Sequence, residues 1–190
     1  PGPESTRLPR DPLDAQIHES VIRAREQALA GARERDLRSS CLIALARIGR
    51  SKALRQILED HSVHADPTIA EAALLALGIS AQVESTPRLL ELFSGTSGGG
   101  ELCGGTAGVS VRKRAFAGYA LGLIARATLD GAVKRAVFEA AMKILNGRSA
   151  GPDLPVAAIE AMGLLGLDPQ EPKDAPLVME ACRSLIDCLR

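Results

Sequence analysis

Three groups of residues in this chain have types and spacings that could do chemistry. The first is the run Asp60-His61-Ser62-Val63-His64-Ala65-Asp66. It puts two imidazoles and two carboxylates into one short segment, and these are ligand types that a zinc ion accepts. Only one other histidine, His18, is present, and a loop between helices is polar for reasons of solvation alone. His61 and His64 are therefore weak metal candidates, and no cofactor is expected. The second group is the glycine-rich stretch from Gly95 to Gly108. A phosphate cradle of the P-loop kind needs Gly-Lys-Ser/Thr leading into a helix. No lysine stands in this stretch, so it reads as a flexible insertion between helices. The third is Arg112-Lys113-Arg114, a cationic run able to attract phosphate or an acidic partner. It sits where a helix should begin, and the expectation is that it forms a solvated face. No nucleophile–base pair, carboxylate dyad or full metal set is legible, so the sequence predicts a chain that is not an enzyme.

Composition narrows the partners. The chain has 190 residues, 46% of them hydrophobic and only 2% aromatic. Its apolar volume is Ala, Leu, Ile and Val, and Ala and Leu are strong helix formers. This composition favours an all-α fold. The 23 basic and 23 acidic side chains balance, whereas a nucleic-acid binder usually carries a basic surplus that neutralises phosphates. The scarcity of aromatics also argues against stacking bases from single strands. No apolar run reaches the roughly 20 residues that a bilayer span needs. The expected partner is a protein or peptide, with no nucleic acid and no membrane span.

The four cysteines do not read as a disulfide framework. Cys182 and Cys188 stand six residues apart on one predicted helix, a rise of about 9 Å that a disulfide does not bridge. Cys41 takes a place filled by Ala in other repeats and is expected to be buried; Cys103 falls in the glycine-rich stretch. Unpaired thiols lean towards a reducing, cytoplasmic compartment. The alternative is a processed extracytoplasmic protein, because the chain starts at Pro1 without Met.

What positions these residues is a motif that recurs four times. It reads Cys41-x-x-Ala44-Leu45-Ala46, Ala73-x-x-Ala76-Leu77-Gly78, Ala117-x-x-Ala120-Leu121-Gly122 and Ala158-x-x-Ala161-Met162-Gly163. The shared alanines are 44, 76, 120 and 161, giving steps of 32, 44 and 41 residues, with the glycine-rich stretch accounting for much of the long second step. Two helices per unit at such periods is the pattern of an α-solenoid.

The units resemble HEAT repeats, particularly the short bacterial kind found in phycobilisome-lyase-like proteins. That kind carries an apolar-Arg pair ahead of the Ala-Leu-Gly motif. Leu37-Arg38 matches it, and Lys113-Arg114 stands in register in the third unit. Ile69-Ala70 and Leu154-Pro155 lack the arginine. His18-Glu19 is similar to the metal pairs of HEAT-like deoxyhypusine hydroxylase, but those enzymes need several such pairs and this chain has one. The resemblance covers about residues 36–190. It implies a right-handed solenoid of about four helix pairs that binds protein without catalysis. The alternatives are an accessory or regulatory module of a larger, lyase-like enzyme, and less readily a nucleic-acid-binding solenoid.

Along the chain, residues 1–12 read as a linker and 13–31 as an N-terminal helix, with a repeat domain over 32–190. Its units are expected at about 36–60, 66–94, 110–146 and 153–190, with the insertion at 94–109. Leu37, Cys41, Ala44, Leu45 and Ile48 should line the inner face of the first repeat helix. Ser51 and Asp130 suit N-caps, and Pro67 suits the first turn of a helix. In each unit the HEAT resemblance implies that the second helix faces the concave side. Its exposed side chains there would be Arg55 and Glu59, Arg88 and Glu91, then Lys134, Arg135, Glu139 and Lys143, then Glu180, Arg183 and Asp187. Both signs are interspersed, a pattern better suited to a protein surface than to a polyanion track.

Overall fold

The computed structural model describes residues 35–103, 108–147 and 151–187, together with Arg23. The expected linker at 1–12 lies outside these residues. So does the expected helix at 13–31, except that Arg23 is helical and exposed.

The protein is all-α, and no strand occurs among the described residues. The helices are α1 (Arg35–Ile48), α2 (Lys52–Ser62), α3 (Pro67–Ile79), α4 (Thr86–Ser94), α5 (Ser97–Leu102), α6 (Val111–Ala127), α7 (Gly131–Leu145), α8 (Asp153–Gly163) and α9 (Ala175–Asp187). A 3-10 turn at Val83–Ser85 leads into α4.

The starts follow the sequence signals. Ser51 Oγ accepts from the Leu54 amide at 3.1 Å, and Asp66 accepts from Thr68 and Ile69 just ahead of Pro67. Asp130 accepts from Ala132 at 2.8 Å. Each bond satisfies an amide that has no partner within its helix. α4 ends on Gly95, whose left-handed backbone (φ 66°) lets Gly95 and Thr96 donate back to the Glu91 carbonyl.

The motif helices pack in sequence: α1 on α3, α3 on α6, α6 on α8. The helix that follows each motif helix packs chiefly on the next motif helix, α2 on α3, α4 on α6 and α7 on α8. Helices α3 and α6 therefore meet neighbours on several sides, and they are apolar nearly all round, α6 between Ala115 and Ala125. In α3, Ile69, Ala70, Ala73, Leu74, Ala76 and Leu77 are all buried. Helices α2 and α4 bury one stripe each, Leu54 and Leu58 in the first, Leu89, Leu92 and Phe93 in the second.

Two expectations are corrected. The inner face of α1 is Leu42, Leu45 and Ala46. Leu37 is 53% exposed, and Cys41, Ala44 and Ile48 are half-buried. Among the described helices α1 has only α3 beside it in the row of motif helices, and these half-buried residues lie away from α3's inner contact. The glycine-rich stretch also contains a helix, α5, with Gly99 and Gly100 buried. A β-carbon on Gly99 would stand 2.6 Å from the Glu91 carbonyl oxygen, so these glycines let the segment lie directly on α4. Residues 104–107 of that stretch lie outside the described residues.

Candidate functional site

The side chains expected to form a binding face do not share one environment. Arg55, Glu59 and Arg88 come together where α2 meets the start of α4. Glu59 accepts from Ser85 Oγ at 2.6 Å. Arg55 reaches Glu59 at 4.0 Å along its own helix and Glu84 at 3.8 Å across the gap. Arg88 donates to the Glu59 carbonyl at 3.3 Å. All three are half-buried, so they link successive helices and offer little free charge. Glu91 is exposed, and its carboxylate lies over Gly98, where a β-carbon would meet it at 3.0 Å.

Lys134 is a correction. It was expected at the surface, but its side chain is only 8% exposed. Its ammonium donates to the Gly166 carbonyl at 2.8 Å and stands 3.9 Å from Asp174, itself buried. Asp174 in turn accepts from the Asp168 amide at 3.1 Å. The loop after α8 has folded over α7 and taken the lysine as its anchor. Nothing in a charged residue on a helix signals this, because the loop that covers it lies more than 30 residues downstream.

Arg135, Glu139 and Lys143, spaced four residues apart on α7, remain an exposed stripe of alternating sign. None of them forms an ion pair or hydrogen bond with another described side chain. Glu180, Arg183 and Asp187 are exposed on α9.

The cationic run is corrected in part. Arg112 is exposed, as a solvated face requires, and Lys113 and Arg114 are half-buried; all three tie α6 to earlier segments. Arg112 makes a two-pronged pair with Glu71 of α3, at 2.7 and 2.8 Å. The Glu71 hydrogen bond raises the Arg112 pKa above its ordinary value, and the charges of Glu71 and, more distantly, Asp153 add to this. Lys113 donates to the His64 carbonyl at 2.9 Å, just past the end of α2. Arg114 donates to the carbonyls of Phe93 and Ser94 at 3.0 and 3.1 Å, at the end of α4. Burial pulls the Arg114 pKa below its ordinary value. Cations belong at helix C-termini, where unpaired carbonyls concentrate negative charge. Arg114 thus closes the C-terminus of α4.

His61, expected in a loop, lies in the last turn of α2 and stacks on His64 just beyond it, with ring centroids 6.3 Å apart and planes within 6°. His61 Nδ1 is 2.8 Å from the Ile57 carbonyl, and His64 Nδ1 accepts from the Asp66 amide at 2.9 Å. Asp66 caps α3, and Asp60 accepts from Gln56 at 2.9 Å. All four polar side chains of the weak metal candidate are engaged in local structure. Among the described residues no three His, Cys, Asp or Glu side chains are grouped so as to hold a metal ion. Cys41 and Cys103 are half-buried free thiols and Cys182 is an exposed one; Cys188 lies outside the described residues. No described helix is long and apolar enough to cross a membrane.

A groove of about 610 Å³ runs along the outer side of α1, lined by Ser39, Ser40, Ile43, Ala44, Arg47 and Ile48, with Ala72 of α3 at its edge. Sequence reasoning missed it: Ala44 and Ile48 read as an inward-facing helix side, and nothing marked the other lining residues.

The chain matches no family model, no curated protein and no solved structure.

Proposed function

We propose that this chain is a right-handed α-solenoid of HEAT-like helix pairs that acts as a protein–protein interaction scaffold without catalysis of its own. The single observation that carries the reading is the stripe Arg135, Glu139 and Lys143 on α7. These are charged, exposed side chains on a rigid helix, and no described side chain pairs with them. Alternating sign on a fixed backbone suits a protein or peptide surface of complementary pattern, for which charge arrangement sets register and excludes wrong partners. The packing of each following helix against the next motif helix supports the repeat reading, because units in such arrays bury their apolar faces only by stacking.

The test is a quantitative pull-down comparing the parent chain with an Arg135→Glu, Lys143→Glu variant of equal thermal stability. Lys134 is left unchanged because it is buried. A partner kept by the parent and lost by the variant supports binding through α7. Equal recovery by both removes the α7 stripe as the binding face.

A further inference from the structure

Among the described residues no further motif helix continues the row at either end, and the two end faces are complementary in form. Inside the row, a β-carbon on Gly78 would stand 2.8 Å from Ala120 Cα, and one on Gly122 would stand 3.0 Å from Ala161 Cα. In each case the motif glycine of one helix lies on the motif alanine of the next. At the α8 end the motif glycine is Gly163, which is exposed and has nothing within 4 Å of its β-position. At the α1 end the motif alanine is Ala44, half-buried, whereas Ala76, Ala120 and Ala161 are fully buried. Ala44 lies in the groove on the outer side of α1.

A second observation keeps the register of the α6–α8 joint; at the α3–α6 joint the places seven residues before Gly78 and Ala120 hold Glu71 and Lys113. Seven residues before Gly122 and seven before Ala161 stand Ala115 and Leu154, 4% and 3% exposed. Seven residues before Gly163 and seven before Ala44 stand Val156 and Leu37, 48% and 53% exposed. They are two of the large apolar side chains exposed among the described residues. The two faces also differ in sign. Asp153 and Glu160 are exposed with Val156 and Gly163 on α8, and Arg47 is exposed beside Ala44 on α1.

From these matches we propose that the protein associates head to tail with a second copy of itself, Gly163 of one copy lying on Ala44 of the next and Val156 meeting Leu37. The interface repeats the α6–α8 packing across the gap between chains. It joins unlike faces, so each chain keeps one open end and association proceeds beyond the dimer. One helix face from each copy is a small interface, so association is weak and depends on concentration.

Sedimentation equilibrium over a wide protein concentration range tests this. The parent chain is expected to form a ladder of oligomers. Gly163→Leu blocks one end, and Leu37→Glu with Ser40→Glu blocks the other. Each is expected to raise the dissociation constant by at least about tenfold while circular dichroism stays unchanged, because all three positions are exposed. Val156→Glu is a second block of the α8 end should Gly163→Leu perturb the fold. The deciding sample is a mixture of the two blocked chains, each with one intact end, which must give one-to-one dimers and nothing larger. A parent chain monomeric throughout would overturn the proposal, and so would oligomers insensitive to both blocks. Blocked chains that fail to pair in the mixture would do the same, since that outcome belongs to an interface between like faces.

Discussion

Gly78 lies against the backbone of Ala120, so close that a β-carbon at position 78 would stand 2.8 Å from Ala120 Cα and 3.1 Å from its carbonyl oxygen. Ala120 belongs to the next copy of the same motif, 44 residues beyond Ala76. The motif is therefore a packing device: glycine on one helix and alanine on the next bring two backbones together, and the Leu or Met between them fills the layer behind. Leu77, Leu121 and Met162, at that middle place, are all buried.

This geometry orders three substitutions that look alike in sequence. Gly78→Ala is expected to destabilise by about 1–3 kcal/mol, because the atoms it meets are backbone and overpacking displaces them. Gly122→Ala meets Ala161 Cα and Leu164 Cβ at 3.0 Å and should lose less, its clash partly offset by the better helix propensity of alanine. Gly163→Ala meets nothing and should stabilise by up to about 1 kcal/mol, the propensity difference alone. Urea unfolding of the three variants checks the order; equal effects at 78 and 163 would show that the close approach does not govern stability.

Arg114 tests whether the cationic run ties α6 to the end of an earlier helix. Its guanidinium holds the Phe93 and Ser94 carbonyls and packs over Gly95, where a β-carbon would stand 2.8 Å from Arg114 Cζ. Arg114→Ala should cost about 1–3 kcal/mol, the range for losing charged hydrogen bonds to half-buried carbonyls. Arg114→Lys should recover only part, since one ammonium does not reproduce a two-pronged fork. Hydrogen exchange should locate the loss at the C-terminal turn of α4. Unchanged protection there would assign the arginine to the solvent instead.

Lys134 separates buried from exposed charge on one helix. Lys134→Ala removes the donor to the Gly166 carbonyl and leaves Asp174 buried without its cation, for an expected loss of about 3 kcal/mol. Lys143→Ala, nine residues on and exposed, should stay within about 0.5 kcal/mol of the parent. Thermal unfolding of the two variants side by side decides it. Comparable midpoints would mean that the loop from Gly166 to Asp174 does not hold the lysine.

Signals carried by neighbouring residues were legible in the sequence. Ser51, Pro67 and Asp130 mark helix starts from residues beside them, and the structure has the Ser51 and Asp130 cap bonds; Asp66, read with the metal candidate, is the cap ahead of Pro67. The all-α class and most helix bounds follow from the same local rules. Signals that depend on distant partners were hidden. Glu71 reads as a lone acid on an apolar helix until Arg112, 41 residues later, folds onto it. Lys134 reads as surface until the loop after α8 covers it. Leu37 and Ala44 read as core by periodicity, yet periodicity names a face without saying whether anything lies on it. α5 was missed because four of its residues score poorly as helix formers or weakly at best, Ser97 and three glycines; contact with α4 outweighs their propensity.

Leu121 tests whether the row behaves as one cooperative body. It is fully buried in α6, the helix that packs on α3, α4, α7 and α8 at once. Leu121→Ala should cost about 2–5 kcal/mol, the range for a large-to-small change that leaves a cavity. If the units stabilise one another only by stacking, amide protection must fall together in α3, α6 and α8, because opening α6 removes a packing surface from each. Leu58, fully buried on α2, provides the comparison. Helix α2 packs chiefly on α3, so Leu58→Ala should lower protection mainly in α2 and α3 and leave α8 close to the parent. Loss confined to residues 111–128 in the Leu121 variant would show that α6 opens alone, and that its neighbours hold together without it.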